Sequence, residues 1–139
     1  MAKPMLIIVG NGMVGHKLVE LLIQAQATHT YDITVFGEER HIAYDRVHLS
    51  SYFDGNTAAD LALSTREYYE SHGVKLFISE RIQQVDRDQH LVISQQRQLH
   101  YHTLVLATGS YPFVPAINYH PCFLLPSTIY NKENFYQPA

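Results

Sequence analysis

The chain has 139 residues, of which 46% are hydrophobic and 17% charged, with a net charge of −3 at neutral pH. This length suits one domain with a buried core, and the lack of a basic excess argues against nucleic acid or an anionic membrane as a partner. The apolar runs are shorter than the roughly 20 residues that span a bilayer, so we expect no membrane segment and a cytoplasmic location. The single cysteine, Cys122, excludes an internal disulfide and a cysteine-ligated zinc or iron–sulfur site.

The first predicted strand, Met5 to Val9, is an apolar run that leads directly into a glycine motif. This motif has the spacing G-x-G-x-x-G and consists of Gly10, Asn11, Gly12, Met13, Val14 and Gly15. Gly10 suits a tight strand-to-helix turn, Gly12 lets the backbone approach a pyrophosphate, and Gly15 lets the helix pack closely on the strand. Free N–H groups at the start of the next helix favour an anion. The motif therefore predicts a dinucleotide-binding loop.

A βαβ unit surrounds the glycine motif. Leucine and alanine residues recur at helical spacing after Gly15, and Ile33 to Phe36 is predicted as a second buried strand. Glu38 and Glu39 follow that strand, about 20 residues past the glycines, where a carboxylate accepts hydrogen bonds from an adenosine ribose. This context favours nucleotide binding over the alternative of a glycine turn in another kind of α/β protein.

A long loop, two short helices and a third strand are predicted next. The loop covers residues 38–54 and is rich in polar and aromatic groups, a composition typical of functional loops. Thr57 is predicted to cap a helix that reaches Leu63, and Thr65 a second helix over residues 66–72 that stops at Gly73. A parallel strand is expected over residues 74–78.

The remaining pattern predicts a small antiparallel sheet and then a return to the parallel one. Residues 81–85, 91–94 and 98–101 have period-two character, and the apolar run 103–107 is typical of a buried parallel strand. Beyond Gly109, four prolines favour irregular chain: Pro112, Pro115, Pro121 and Pro126. We therefore predict a three-layer α/β Rossmann-type domain with parallel strand order 3-2-1-4 and an antiparallel β insertion.

Four segments together resemble one family. They are the glycine motif, residues 32–39, the loop 42–53 with its Tyr44-Asp45-Arg46 sequence, and residues 107–112. From about Met5 to Ile117 the chain is similar to the N-terminal FAD-binding region of the NAD(P)H-dependent nitrite reductase large subunit. That region is shared with ferredoxin and rubredoxin reductases of the glutathione-reductase-type flavoproteins. The resemblance implies an FAD-binding domain over residues 1–117, followed by an irregular Pro-rich tail over residues 118–139.

The resemblance also implies a set of cofactor-binding residues. Gly10, Gly12 and Gly15, with the intervening Asn11, Met13 and Val14, would hold the FAD pyrophosphate. Glu38 would bind the adenosine ribose, Arg46 the phosphate or the flavin side, and Ile82 the adenine. The residues that close over the cofactor would be Ala107, Thr108 and Gly109. Ser51 stands where several related reductases carry a lysine.

By the same resemblance, electrons would enter from NAD(P)H through FAD and move toward nitrite reduction, a reaction of nitrate assimilation. The chain has no second glycine motif for NAD(P)H and too few cysteines for a cluster, so an NAD(P)H site, iron–sulfur centre and siroheme are not expected in it. We therefore expect a truncated front portion that is inactive alone. Two alternatives stay open: the front half of a ferredoxin-reductase-like, rubredoxin-reductase-like or NADH-oxidase-like flavoprotein, and a non-catalytic nucleotide-binding module.

Several residues have simpler interpretations. His100 and His102 alternate along a predicted strand, which favours an ordinary strand face over a metal site. Arg46 has the alternative of pairing with Asp45, Glu38 or Glu39 as a loop clamp. Tyr68 and Tyr69 are expected to pack on the sheet and not on a flavin. Apolar residues after Gly109 predict self-association through the tail.

Overall fold

The computed structural model describes residues 2–52 and 54–110. A parallel sheet, two helices and an antiparallel sheet make up this part of the chain. In order, the strands and helices are β1 (Met5–Val9), α1 (Met13–Gln24), β2 (Asp32–Phe36), α2 (Arg66–Ser71), β3 (Lys75–Phe77), β4 (Ile82–Asp86), β5 (Leu91–Ser94), β6 (Gln98–His100) and β7 (Thr103–Leu106). Short 3-10 helices cover Ala27–His29 and Leu49–Tyr52. The predicted tail, with its proposed self-association, lies outside the described residues.

The parallel sheet has the strand order β3-β2-β1-β7. The central strand β1 pairs with β2, where Ile7 lies opposite Thr34, and with β7, where Ile7 lies opposite Leu104. This confirms the predicted order 3-2-1-4, because β7 is the fourth parallel strand. The carboxyl ends of all four strands therefore meet at one edge of the sheet, which is where open α/β sheets bind ligands.

Alternate residues of the central strands pack on opposite faces of the parallel sheet. On one face, α1 and α2 cover a cluster that includes Leu6, Ile8, Val19 and Tyr69. On the other face, the antiparallel sheet β4-β5-β6 places Val92 against a cluster of strand side chains (Ile7, Val9 and Phe36). The strands of the parallel sheet thus read as continuous apolar runs because both faces are buried. The three layers are the helices, the parallel sheet and the antiparallel insertion.

The predicted helix over residues 57–63 is wrong, whereas the one capped by Thr65 is confirmed. Asp60 accepts hydrogen bonds from the backbone N and the hydroxyl of Thr57 at 2.6 and 2.7 Å, which holds that segment in turns. Such local side-chain bonds compete with a helix. Ala62 instead forms a β-bridge with Tyr44. At α2, Thr65 Oγ1 accepts from Tyr68 N at 3.3 Å.

His100 and His102 do not share one strand, contrary to the prediction. β6 ends at His100 and β7 begins at Thr103. His102 ties the start of β1 instead, because its N–H donates to Met5 O at 2.8 Å while its Nδ1 accepts from Met5 N at 2.9 Å. Within residues 2–52 and 54–110, no helix combines the length and apolar character needed to cross a membrane.

Glu80 joins the antiparallel sheet to the end of β2. The side chain is buried, and its Oε1 accepts hydrogen bonds from Ser94 Oγ and, at 2.9 Å, from Arg97 Nε. The Arg97 guanidinium lies 3.8 Å from the Phe77 ring centroid, and Glu80 N donates to Gly37 O at 2.9 Å. A buried carboxylate is tolerated here because it is both paired and hydrogen-bonded.

We predict that Glu80→Gln lowers the free energy of unfolding by about 1–3 kcal/mol, because the charge-assisted bonds to Arg97 and Ser94 are lost. Denaturant unfolding measures this change. Glu70→Gln, on the exposed part of α2, is the matched control and should stay within about 0.5 kcal/mol of the wild type. Equal effects of the two substitutions would contradict a structural role for the Glu80 cluster.

Candidate functional site

The glycine motif lies at the carboxyl edge of the parallel sheet, where three stretches of backbone approach one another. Gly10 has φ +116°, and a Cβ on it would lie 2.1 Å from Ala107 O. A Cβ on Gly15 would lie 2.0 Å from Gly10 O. Both positions therefore require glycine for contacts inside the protein. For Gly10, the close approach of the end of β7 adds a second reason to the predicted turn.

Gly12 differs from the other two glycines of the motif. It is the N-cap of α1, it has an ordinary φ of −91°, and a Cβ on it would meet nothing within 4 Å. The first turn of α1 has no acidic residue and, among the described residues, no side-chain cap, so its N–H groups suit an anion. Met13 and Val14 form this turn and are 36% and 73% exposed. Gly12 is therefore not required by packing inside the described part of the chain, which is consistent with the expected approach of a pyrophosphate.

The segment that follows β7 lines the same edge. Ala107 N donates to Val9 O at 2.7 Å, which continues the pairing of β7 with β1 up to the glycine motif. Thr108 comes next, and Gly109 has φ +68°, with no atom of the described residues within 4 Å of the position of a Cβ. The prediction that Ala107, Thr108 and Gly109 close over a cofactor stays a prediction, and the structure places Ala107 in contact with the glycines.

Glu38 and Ile82 line one cleft of about 460 Å³ beside the end of β2. Glu38 is exposed, and its Oε1 lies 3.5 Å from Arg81 Nη1. Ile82 is the first residue of β4 and packs partly against the core. The two residues that were expected to contact a ribose and an adenine are therefore neighbours in space, although 44 positions separate them in the sequence. Arg81, the residue before Ile82, connects them, because its positive charge pairs with the Glu38 carboxylate.

Arg46 contacts the second acidic residue of the pair, Glu39. Its Nη2 donates to Glu39 Oε1, its guanidinium carbon lies 5.5 Å from the centroid of the Tyr44 ring, and the Tyr44 hydroxyl donates to Glu39 Oε2 at 2.8 Å. The structure therefore contains one of the pairings expected for Arg46 as a loop clamp. Contact of Arg46 with a phosphate or a flavin stays a prediction.

Asp45 shapes the same loop. Its Oδ1 accepts from Val47 N at 2.9 Å, and its Oδ2 lies 2.7 Å from His48 Nδ1. The hydrogen bond with His48 is the main cause that lowers the pKa of Asp45 below its usual value. The carboxylate stays ionised and holds an exposed imidazole at the tip of the loop.

His16 and Tyr69 contact the buried side of the glycine motif. The sequence analysis did not single them out as functional. Tyr69 is fully buried, and its hydroxyl oxygen lies 2.9 Å from Asn11 Oδ1 and 2.8 Å from His16 Nδ1. Burial is the largest cause that lowers the pKa of His16, and burial raises the pKa of Tyr69. The available signal was a histidine on the buried face of α1, three positions before Val19. In the described residues, no group of three or more His, Cys, Asp or Glu side chains could hold a metal ion.

Comparison with known proteins agrees with this geometry. Residues 4–137 match the family model of the pyridine nucleotide-disulphide oxidoreductases. The chain belongs to this family. It is 48% identical over 118 residues to the nitrite reductase (NADH) large subunit of Escherichia coli, and 44% identical over 128 residues to the nitrite reductase [NAD(P)H] large subunit of Klebsiella oxytoca. The matches cover 84% and 89% of this chain but 14% and 13% of those subunits.

A solved structure shares the fold. Putidaredoxin reductase, in its covalent complex with putidaredoxin, superposes with a TM-score of 0.71 and is 31% identical. The match covers 84% of this chain and 28% of the reductase. The predicted family resemblance and fold class are thereby confirmed, and the assignment of individual cofactor-binding residues stays a prediction.

We predict that alanine affects stability at one glycine of the motif and FAD binding at another. Gly15→Ala should destabilise the chain by about 1–3 kcal/mol or more, because the new Cβ overlaps Gly10 O. Gly12→Ala should change stability by less than about 1 kcal/mol, which is the cost of a poorer N-cap. It should nevertheless weaken FAD binding at least about tenfold, because its methyl group would lie where the pyrophosphate is expected. Thermal unfolding and calorimetric titration measure the two effects. Unchanged FAD affinity in Gly12→Ala would contradict the prediction that the pyrophosphate binds beside Gly12.

Proposed function

We propose that this chain binds FAD and forms the electron-entry region of an NAD(P)H-dependent nitrite reductase large subunit. The observation that carries the proposal is the alignment of two features on one sheet edge. Gly12 is the N-cap of α1, with no side-chain cap and no atom within 4 Å of an added Cβ among the described residues. The cleft lined by Glu38 and Ile82 lies one strand away. This arrangement suits the ADP half of a dinucleotide. The 48% identity to the Escherichia coli large subunit supports nitrite reduction as the reaction of the whole protein.

The chain's own residues would bind and orient the cofactor. Backbone N–H groups at Gly12, Met13 and Val14 would donate to the pyrophosphate, and the Glu38 carboxylate would accept from the ribose hydroxyls. The aliphatic side chain of Ile82 would cover one face of the adenine. When bound, FAD supplies hydride acceptance from NAD(P)H and transfer of single electrons to a metal centre. The protein's contribution is position and electrostatics.

A second candidate is the front portion of a reductase that delivers electrons to a small redox protein. The 31% identity to putidaredoxin reductase is the observation that favours this candidate. Both candidates need the same FAD site, so they differ only in the electron acceptor. A nucleotide-binding module without redox chemistry is the third possibility, and it predicts that the chain does not prefer FAD to NAD.

We therefore expect the 139-residue chain to bind FAD more tightly than NAD, because the Tyr44-Asp45-Arg46 loop and the segment from Ala107 to Gly109 accompany the glycine motif, as in the flavoproteins it resembles. ADP should bind with an affinity close to that of FAD, because most of the expected contacts are to the ADP half. Calorimetric titration with FAD, ADP and NAD tests this order. Tighter binding of NAD than of both FAD and ADP would overturn the proposal and favour the non-redox module.

Glu38 and Glu39 provide an internal comparison. Glu38→Ala should weaken ADP binding by about 1–3 kcal/mol, the range for a charge-assisted hydrogen bond. Glu39→Ala should leave ADP binding nearly unchanged and lower stability instead, because Glu39 pairs with Arg46 and Tyr44. ADP titration and thermal unfolding of both variants separate the two roles. A larger loss of ADP affinity in Glu39→Ala would move the ribose to Glu39.

A further inference from the structure

We propose that Tyr69 is a positioning residue for the nucleotide: its hydroxyl tethers Asn11 of the glycine motif to α2, and the proton on His16 controls how well that tether is made. The inference rests on the proposed function in one respect, namely that the glycine motif binds a dinucleotide. The tether itself consists of described contacts. It links the loop after β1 to a helix more than 50 positions later in the chain.

The tether explains why the Asn11 side chain turns inward. The Tyr69 hydroxyl lies 2.9 Å from Asn11 Oδ1, and Asn11 Nδ2 is buried with no hydrogen-bond partner in the described part of the chain. Because the side chain is anchored in the interior, it holds the backbone of the loop in place up to Gly12, where no described atom lies within 4 Å of an added Cβ. Loss of the Tyr69 hydroxyl would free the loop to leave this conformation.

Counting protons shows two ways to make the tether. A tyrosine hydroxyl has one proton, so if Tyr69 donates to Asn11 Oδ1, then His16 Nδ1 must donate to Tyr69, and Asn11 Nδ2 stays without an acceptor. If the Asn11 amide turns by half a rotation, Nδ2 donates to the Tyr69 oxygen and Tyr69 donates to His16 Nδ1. The second arrangement requires an unprotonated Nδ1, and it leaves a carbonyl oxygen instead of an N–H group unpaired, which is the smaller cost.

The surroundings of His16 decide between the two arrangements. On α1, His16 Nε2 lies 3.5 Å from Glu20 Oε1, and Lys17 is the neighbouring cation. On α2, the rings of Tyr68 and Tyr69 pack against the imidazole with centroids at 6.2 and 5.8 Å. Burial lowers the pKa of His16 and outweighs the opposing effect of Glu20. The neutral ring, with its proton on Nε2 toward Glu20, therefore prevails at neutral pH and allows the second arrangement. In acid Nδ1 is protonated, which favours the first arrangement and leaves Asn11 Nδ2 unpaired.

The sign of the pH effect follows. Because burial lowers its pKa, His16 takes up a proton in the folded chain only at a pH below about 6.5, the ordinary histidine value, so the tether is intact at neutral pH and weakens where that proton binds. FAD is the suitable probe because its pyrophosphate carries no group that titrates between about pH 5 and about pH 8, whereas the terminal phosphate of ADP does. FAD affinity should thus decrease in acid.

The experiment compares the full 139-residue chain with Tyr69→Phe and with Tyr68→Phe, the neighbouring tyrosine whose ring also touches His16. We expect wild type and Tyr68→Phe to lose FAD affinity as the pH is lowered from about 8 to below the lowered pKa of His16, by about five- to tenfold once the ring is protonated. Tyr69→Phe should bind about five- to tenfold more weakly at the higher pH and show little further change. Because His41 and His48 are present in all three chains, a pH effect from them would appear in Tyr69→Phe as well.

A second measurement does not depend on FAD. Amide hydrogen exchange at Gly10, whose N–H donates to Phe36 O at 2.8 Å, and at His16, whose N–H donates to Gly12 O at 2.9 Å, reports on both ends of the loop. Faster exchange at these two amides in Tyr69→Phe, with no change in Tyr68→Phe, supports the tether. Unchanged exchange, or an FAD pH profile identical to that of the wild type, overturns it.

Two controls keep the outcomes distinct. If the wild type binds no FAD at any pH, the proposed function fails, and hydrogen exchange alone decides the tether. If Tyr69→Phe does not fold, Asn11→Ala replaces it, and this variant should show the same loss of affinity and of pH dependence. Where both variants fold, the double variant should be no weaker than either single one, because both remove the same contact. Additive losses would overturn a direct tether.

Discussion

The close contact between three backbone segments at Gly10, Gly15 and Ala107 is the constraint on which the rest of the site depends. Cβ atoms added at Gly15 and Gly10 would lie only 2.0 and 2.1 Å from backbone oxygens, which means that the start of α1, the end of β1 and the end of β7 occupy adjoining space. Interiors packed this tightly transmit any displacement. The direction of α1, and with it the position of its first N–H groups, is therefore determined by glycine contacts inside the protein, and of the three motif glycines only Gly12 has no described atom near an added Cβ.

The layer behind the parallel sheet places the other half of the site. Ile82 can face Glu38 only because β4 begins directly after the Glu80 segment, and Glu80 is held to the end of β2 by its backbone bond to Gly37 O. Gly37 in turn packs on the glycine motif, since a Cβ on it would lie 3.1 Å from the Asn11 Cβ. The cleft and the loop are thus coupled through β2, and the antiparallel insertion is a structural part of the site.

The sequence predicts the parallel core well because its information is local. Apolar runs of strand length, glycines at fixed spacing and the Thr65 cap each act within a few residues, and βαβ connections leave few possible strand orders. Contacts between distant side chains carry no such spacing. Nothing in the pattern distinguishes Glu39 from Glu38 as the partner of Arg46, and the bond between Tyr69 and Asn11 spans 58 positions. The helix expected after Thr57 failed for a related reason, because Asp60 and the bridge from Ala62 to Tyr44 compete with helical bonds.

Adjacent acidic residues at the end of β2 show how the fold assigns different roles to chemically equal groups. Glu39 is enclosed by Arg46 and Tyr44, so its charge is used to fasten the long loop to the sheet. Glu38 points to a wide cleft, where its contact with Arg81 is long at 3.5 Å and both side chains are well exposed. An exposed ion pair of this kind contributes little to stability, since solvent screens it. The exposed Glu38 carboxylate is therefore accessible to a ligand, whereas a ligand at Glu39 would release the loop. This difference in burial, and not the difference of one position in sequence, is the reason we propose Glu38 and not Glu39 as the ribose-binding residue.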